Sequence, residues 1–403
     1  DDIEKLAVDA DEVELARDIA DVMRNQQIDE ANFGSPKAAA AKWASAVRLV
    51  NPKTGDTLSY FELPQDEAAR CIALVNFTQI PDMYMALVGC GIGQHLRPTP
   101  GKAAGAVGGC IYTFLLAANG EKFDLVHRTP TDEPVNALHD FRGTCLVGMG
   151  KRLRVYNFGK KKLLAKCENK TFATQICGID SMGQRIVVSD SQESVHFLRY
   201  RKHENQLVVF ADDLTPRYVT ATCLLDYHTV AIGDKFGSVA IIRLPAKVNE
   251  DVQEDPSGTK AIWERGYLNG ASQKADLQSV IYVGDQITSL QKTSLVPGAS
   301  DALVYTTIGG AIGMLVPFMS RDEFDFFQNL EMHLRVEHPP LCGRDHLSFR
   351  SYYHPNKAVI DGDLCEQFVL LDSGKQKDIA DELGKSVSEI TKKLEDIRTR
   401  YAF

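Results

Sequence analysis

The 403-residue chain lacks several features that would have settled its class at once. No run approaches the ~18 consecutive apolar residues that a membrane-spanning helix needs. No basic stretch followed by an apolar one stands at the start, so no secretory signal is read there. The chain opens Asp1-Asp2 rather than on Met, and it is expected to be a piece of something longer. No two of its nine cysteines share the Cys-x-x-Cys spacing. Cys71, Cys90, Cys110, Cys145, Cys177 and Cys223 sit mostly within or beside apolar runs, which fits reduced, buried thiols and not a disulfide framework. The sequons at Asn76–Thr78 and Asn169–Thr171 are read as chance. Charge of one sign is also missing: 45 Lys and Arg face 54 Asp and Glu, which excludes a strongly basic nucleic-acid wrapper. With 44% hydrophobic residues, a wholly disordered acidic chain is excluded too.

The net charge of -9 is unevenly placed. Residues 1–30 hold eleven acids against Lys5, Arg17 and Arg24, while the remaining residues carry 42 bases and 43 acids. An acidic arm thus precedes a near-neutral body. Within the arm, residues 11–25 predict a helix, with Val13, Ala16, Ala20 and Met23 on one face. Gly34–Pro36 and Ala38–Ala41 read as a linker.

From Trp43 to Phe318 the pattern is of short strands separated by turns. Strand-length runs are Ala46–Val50, Thr57–Leu63, Met85–Val88, Cys110–Leu116, Leu153–Phe158, Arg185–Val188, Val195–Tyr200, Gln206–Phe210 and Val239–Leu244. Four segments repeat one layout of strand, turn and strand. They begin at Leu146, Val187, Val230 and Leu303, at intervals of 41, 43 and 73 residues. A fifth begins near Leu87, interrupted over Gln94–Ala106. The long interval contains the polar stretch Val248–Lys260, whose removal restores a period near 42. A period of ~40–45 with about four strands per unit points to a β-propeller, here without the Trp-Asp dipeptide. Five or six blade-like units are counted, so the ring is expected to be incomplete.

After Pro317 the spacing turns helical. Phe324, Phe327, Leu330 and Leu334 share a face, Asp363–Leu371 and Lys375–Leu383 predict short helices, and Ser386 with Glu389 forms a capping box. The expected division is an acidic helical linker over 1–42, blades over 43–318 and a small α-helical domain over 319–403. The fold class is mainly β, a propeller followed by helices.

Chemistry-bearing constellations are weak. The glycines of Val88–Gly93 are followed by Arg97–Pro100, which leaves no helix N-terminus for a phosphate. His333, His338, Cys342, His346 and His354 lack zinc spacing and a second Cys. No Gly-x-Ser-x-Gly elbow is present. Asp361–Asp363 lacks the later ligands of a calcium loop and is expected to open a helix. No catalytic residue, metal or cofactor is therefore assigned, and the chain is expected not to be an enzyme. The basic run Lys151, Arg152, Arg154, Lys160, Lys161, Lys162, Lys166 and Lys170, opposed by Glu168 alone, spans a hairpin with its tip at Phe158–Lys160, and Lys160, Lys161 and Lys162 are the candidates for contact with an RNA backbone. No aromatic stacking platform accompanies it in the sequence. In the helical part, Arg344, His346, Arg350, Tyr352 and Tyr353 are candidates for tying helices to blades and for touching a partner, because buried Arg and Tyr need hydrogen-bond partners.

Longer stretches carry a resemblance. Glu337–Tyr353, Val359–Phe368 and Lys392–Phe403 resemble the C-terminal end of the large β-propeller subunits of splicing factor 3b. Upstream, Arg152–Tyr156, Gly159–Leu164, Cys167–Lys170, Glu204–Leu207, Leu268–Lys274 and Leu303–Thr307 resemble the same family. The likeness runs from about Phe33 to Phe403 and is weaker over residues 1–30 and Val369–Val387. The shorter pattern Asp361–Leu364, Glu366, Phe368 is shared with the large subunit of the ultraviolet-damaged DNA-binding complex and with the largest cleavage and polyadenylation factor subunit.

This resemblance implies a longer protein with three propellers and a terminal helical domain, the last propeller being completed by strands from the N-terminal region. The acidic arm would arrive from a preceding propeller. It implies a nuclear, non-catalytic scaffold of the U2 small nuclear ribonucleoprotein, acting in pre-mRNA splicing. Its partners would be the helical-repeat subunit that holds the branch-site duplex and a small companion subunit. The alternatives are a ubiquitin-ligase adaptor of the damage-binding type and a propeller that binds RNA directly.

Overall fold

The computed structural model describes residues 42–81, 83–93, 108–117, 120–254, 263 and 270–401. The expected helix at 11–25, the linker at 34–41 and the interruption at 94–106 lie outside the described residues.

Among the described residues, twenty-one strands fall into six antiparallel units in chain order. The first unit is the pair β1 (Ala46–Val50) and β2 (Thr57–Glu62). The second comprises β3 (Glu67–Val75), β4 (Met85–Ile92), β5 (Gly108–Leu116) and β6 (Phe123–Thr131). The third comprises β7 (Val135–Phe141), β8 (Thr144–Met149), β9 (Arg152–Phe158) and β10 (Leu163–Asn169). The fourth comprises β11 (Ile176–Met182), β12 (Arg185–Asp190), β13 (Val195–Arg201) and β14 (Gln206–Asp213). The fifth comprises β15 (Val219–Leu224), β16 (Thr229–Asp234), β17 (Ser238–Arg243) and β18 (Gln273–Tyr282). The sixth has β19 (Ile287–Thr293), β20 (Ala302–Thr307) and β21 (Ile312–Leu315).

The first strands β3, β7, β11, β15 and β19 pack side by side, as the inner strands of propeller blades do. Among the described residues, four units have four strands and the end units have two and three, which makes an open arc of propeller blades.

Each of these inner strands shifts register at its head. The shifts fall at Ala69/Cys71, Val135/Ala137, Ile176/Gly178, Val219/Ala221 and Ile287/Ser289. A bulge adds one unpaired residue and increases twist, which aims the strand head into the preceding unit. Val135, Ile176 and Ile287 stand at three of these heads, fully buried. Each faces a glycine on the second strand of the preceding unit. A Cβ placed on Gly89, Gly148 or Gly233 would stand 2.5 Å from Val135, Ile176 or Ile287 respectively.

Apolar seams fill the spaces between units. One joins Met85, Leu87 and Ile111 to Val135, Val147 and Met149. The next joins Leu146 and Val155 to Ile176, Ile186 and Leu198. A third joins Val187 and Phe197 to Val230, Ile232 and Ile242. Second strands lie between two seams, so β12 and β16 are buried along their whole length. Such strands read as continuous apolar runs without alternation.

The 73-residue interval contains an insertion between β17 and β18. It opens with helix α1 (Val248–Glu254). The returning chain lays the start of β18 parallel to β14, with Lys274 Nζ 2.5 Å from Asp212 Oδ1. The fourth and fifth units are thereby joined into one eight-stranded sheet.

The C-terminal segment is helical, with α2 (Arg321–Glu337), α3 (His346–Phe349), α4 (Gly362–Glu366), a 3₁₀ turn at Gln367–Leu370, α5 (Ser373–Glu382) and α6 (Val387–Tyr401). Phe327, Leu330 and Leu334 pack on Leu364, Phe368, Ile390 and Leu394. Ser320 caps α2 through the Glu323 amide, and the capping box forms: Glu389 N donates to Ser386 Oγ at 3.3 Å and Ser386 N to Glu389 Oε2 at 2.7 Å. Each such cap is worth about 1 kcal/mol. The segment closes on its own start, where Tyr401 Oη donates to Pro317 O at 2.6 Å.

All nine cysteines are free thiols. Cys90, Cys110 and Cys145 are buried as expected, whereas Cys177 is exposed. It occupies the bulge of β11, and its Sγ reaches Ser189 O at 3.4 Å and Val219 O at 3.7 Å.

Candidate functional site

Two places gather the residues singled out from the sequence. The first is where the helical segment meets the fifth unit. Arg217 lies just before β15 and is 1% exposed. Its Nε donates to Asp213 Oδ2 at 3.0 Å, and its Nη1 donates to Tyr353 Oη at 3.1 Å. Tyr353 in turn donates to Asp234, at the end of β16. Asp234 also accepts from the amides of Phe236 and Ser238, both at 2.9 Å, which holds the β16–β17 turn. Burial, and then the Asp234 carboxylate, push the Tyr353 hydroxyl upward, so it stays a donor. The neighbouring Tyr352 ring stacks on Tyr282 at 5.4 Å.

The backbone joins in. Val280 and Lys357 exchange two hydrogen bonds of 3.0 Å, and Tyr282 N donates to Arg350 O at 3.1 Å. The free edge of β18 is thus covered, which removes a site for wrong strand pairing.

Behind this contact sits a buried ionic cluster. Arg350 Nε donates to Asp361 Oδ2 at 2.6 Å, and His346 Nε2 lies 3.1 Å from the same oxygen. Asp361 is the N-cap of α4, as the acid–glycine–acid run suggested. Glu331, 1% exposed, accepts from Arg335 at 2.7 Å and from the Asp361 amide at 3.1 Å. Of the five candidates, His346 and Arg350 are engaged inside the molecule, and Tyr353 commits its hydroxyl to Arg217 and Asp234 while its residue stays 41% exposed. Tyr352 stacks on the blade yet is 59% exposed, and Arg344 is exposed. Arg217, Asp213, Asp234 and Glu331 were not singled out from the sequence. Only their separation in the chain hides them, since each is an ordinary strand-end or helix residue.

The second place is the third unit. The basic run does not face Glu168 alone: Arg152 Nε lies 3.1 Å from Glu133 Oε1, and Asp132 is 3.5 Å from the same guanidinium. These acids come from the connection between β6 and β7, too far back in the chain to count as neighbours. Arg154 forks onto Glu168 and Lys170 reaches it at 3.0 Å. Lys160, Lys161 and Lys162 occupy the β9–β10 hairpin, closed by Gly159 N donating to Lys162 O at 2.8 Å. All three are exposed, and no ion pair among the described residues engages them.

The histidines and cysteine weighed for zinc go to separate partners. His333 meets Glu382 at 3.1 Å, His354 meets Thr215 at 3.3 Å, and Cys342 is exposed.

The CPSF A subunit region family matches residues 44–370. The chain is 53% identical over 397 residues to splicing factor 3B subunit 3 of Danio rerio, covering 98% of this chain and 32% of that protein. It is 50% identical over 395 residues to splicing factor 3B subunit 3 of Drosophila melanogaster, with the same coverage. Pre-mRNA-splicing factor RSE1 of Mycosarcoma maydis is 44% identical over 371 residues, 92% of this chain and 30% of that protein. The chain spans about a third of the length of these curated relatives.

Proposed function

The chain belongs to the CPSF A subunit region family, and from that membership we propose that it acts as a non-catalytic scaffold within a splicing factor 3b assembly of the U2 small nuclear ribonucleoprotein, in the nucleus, during pre-mRNA splicing. The carrying observation is the 53% identity over 98% of the chain to a splicing factor 3B subunit. The partners in this reading are the helical-repeat subunit and the small companion subunit. Contact runs through blade faces and through the exposed Arg344 and the outward face of Tyr352, while His346, Arg350 and Tyr353 hold that surface in place. Blades over 43–318 and helices over 319–403 are the two working units of the same reading.

The test is affinity purification from nuclear extract with the intact chain as bait. Recovery of U2 small nuclear ribonucleoprotein components, reduced by Arg344→Glu with Tyr352→Ala, is the expected result. Recovery of a cullin scaffold in their place supports the ubiquitin-ligase adaptor and overturns this reading.

A further inference from the structure

The hairpins β7–β8, β9–β10, β11–β12 and β13–β14 all emerge on one face of the propeller. A cavity of about 770 Å³ opens there between the third and fourth units. Its lining includes Arg142, Lys166, Arg199, Arg201 and Lys202, with Glu204 as the acid among its described lining residues. Glu204 is already spent on Arg201, at 2.7 Å. Among the described residues the Arg199 guanidinium meets the neutral Gln184 amide oxygen, at 3.5 Å. The cavity therefore holds an excess of fixed positive charge inside a body that is otherwise near neutral.

Two further observations point the same way. Arg142 sits at φ 50°, followed by Gly143 at φ 77°. A two-residue hairpin of this shape favours Asn or Asp before Gly, because other side chains are strained in the left-handed region. An arginine held there at a cost is an outlier of the kind that marks function. The half-buried Tyr200 ring also lines the cavity and meets Phe141 edge-on at 6.2 Å and 78°. Lys160–Lys162 extend the charge along the same face from the adjoining hairpin.

The geometry points to a binding site for single-stranded RNA in the cleft between the third and fourth propeller units, with Arg142, Lys166, Arg199 and Lys202 on its phosphates and Tyr200 against a base. Cations on two blades match the repeated charge of a phosphate backbone. Neutral donors and an aromatic ring among them match ribose and base. An acidic peptide would use the cations alone. The site goes beyond scaffolding and stands whether or not that reading holds.

The test uses the intact chain and a fluorescein-labelled oligouridylate of about 12 nucleotides, read by anisotropy. Affinity should fall with salt, with a log–log slope of about −3 for four phosphate contacts. Arg142→Glu/Lys166→Glu/Lys202→Glu, all exposed positions, should weaken binding at least about tenfold at 0.1 M salt and flatten the slope. The neutral variant Arg142→Gln/Lys166→Gln/Lys202→Gln should fall between, and unchanged melting temperatures confirm that both fold. Absence of RNA binding in the parent chain overturns the proposal. So does unchanged affinity in the triple reversal, or a polyglutamate peptide of equal charge that binds more tightly and displaces the RNA.

Discussion

The joints between propeller units and the joint between propeller and helices solve one packing problem by opposite means. Unit meets unit through apolar seams, where a branched side chain such as Ile176 fills the space left by Gly148. The helical segment meets the fifth unit through Arg217, Asp213, Asp234 and Tyr353, with buried charges joined by directional hydrogen bonds. Apolar burial is non-directional and proportional to area, so each seam tolerates small shifts while summing many weak contacts. A buried ion pair gains little over an apolar replacement but costs several kcal/mol when one partner is lost. The seams therefore supply stability, and the polar joint fixes one orientation of the helices on the blades.

The largest effect should come from breaking the polar joint. Arg217→Ala leaves Asp213 buried at 3% exposure without its cation, and a loss of about 3–5 kcal/mol is expected in denaturant unfolding. Hydrogen exchange should speed up first at the Val280 and Tyr282 amides, which donate to the helical segment. The double variant Arg217→Met/Asp213→Leu should recover much of the loss, since an apolar pair of similar volume has no unpaired charge. A cost below about 1 kcal/mol for Arg217→Ala would show that the joint is solvated and decides nothing.

A smaller effect is expected at a seam. Gly148→Val places a side chain where even a Cβ would stand 2.5 Å from Ile176. Overpacking of this kind costs about 1–3 kcal/mol. Ile176→Ala should restore part of it, and unfolding should stay cooperative across the blades without early release of the helices. If Gly148→Val released the helices first, the division of labour between seam and polar joint would be wrong.

The difference between the joints also explains what could be read in advance. Second and third strands were legible, because β12 and β16 are buried on both faces and stand out as apolar runs. Their spacing of 41 and 43 residues is the spacing of real blades. None of the inner strands β3, β7, β11, β15 and β19 was picked out. Polar residues interrupt them, as at Asn136, Asp140, Asp180 and Thr222, and the bulge breaks the two-residue period. The helices were legible from their caps and periodicity. The polar joint was half legible: Tyr353 and Arg350 stood out, but Arg217 and Asp234 lie more than a hundred residues away in the chain. The cleft was hidden for the same reason, since Arg142, Lys166 and Lys202 belong to three hairpins.

The smallest effect separates the joints by pH. Burial lowers the pKa of His139 and His196 in the blades, and burial and then Arg217 lower that of His354 beside the polar joint. For His139 the opposing influences are Asp180 and Asp140. For His196 they are Asp212, Asp190 and Glu193, with Lys274 acting in the lowering direction. For His354 Asp213 opposes, and Lys357 adds to the lowering. A histidine lowered in the fold binds fewer protons there than in the unfolded chain just below pH ~6.5, so stability is complete above that value and declines as pH falls. Melting temperature should therefore drop between about pH 7 and pH 5, before carboxylate titration dominates. His139→Gln/His196→Gln should remove most of that slope, and His354→Gln only a smaller part. Equal slopes in the parent and the blade double variant would place the acid sensitivity at the polar joint instead.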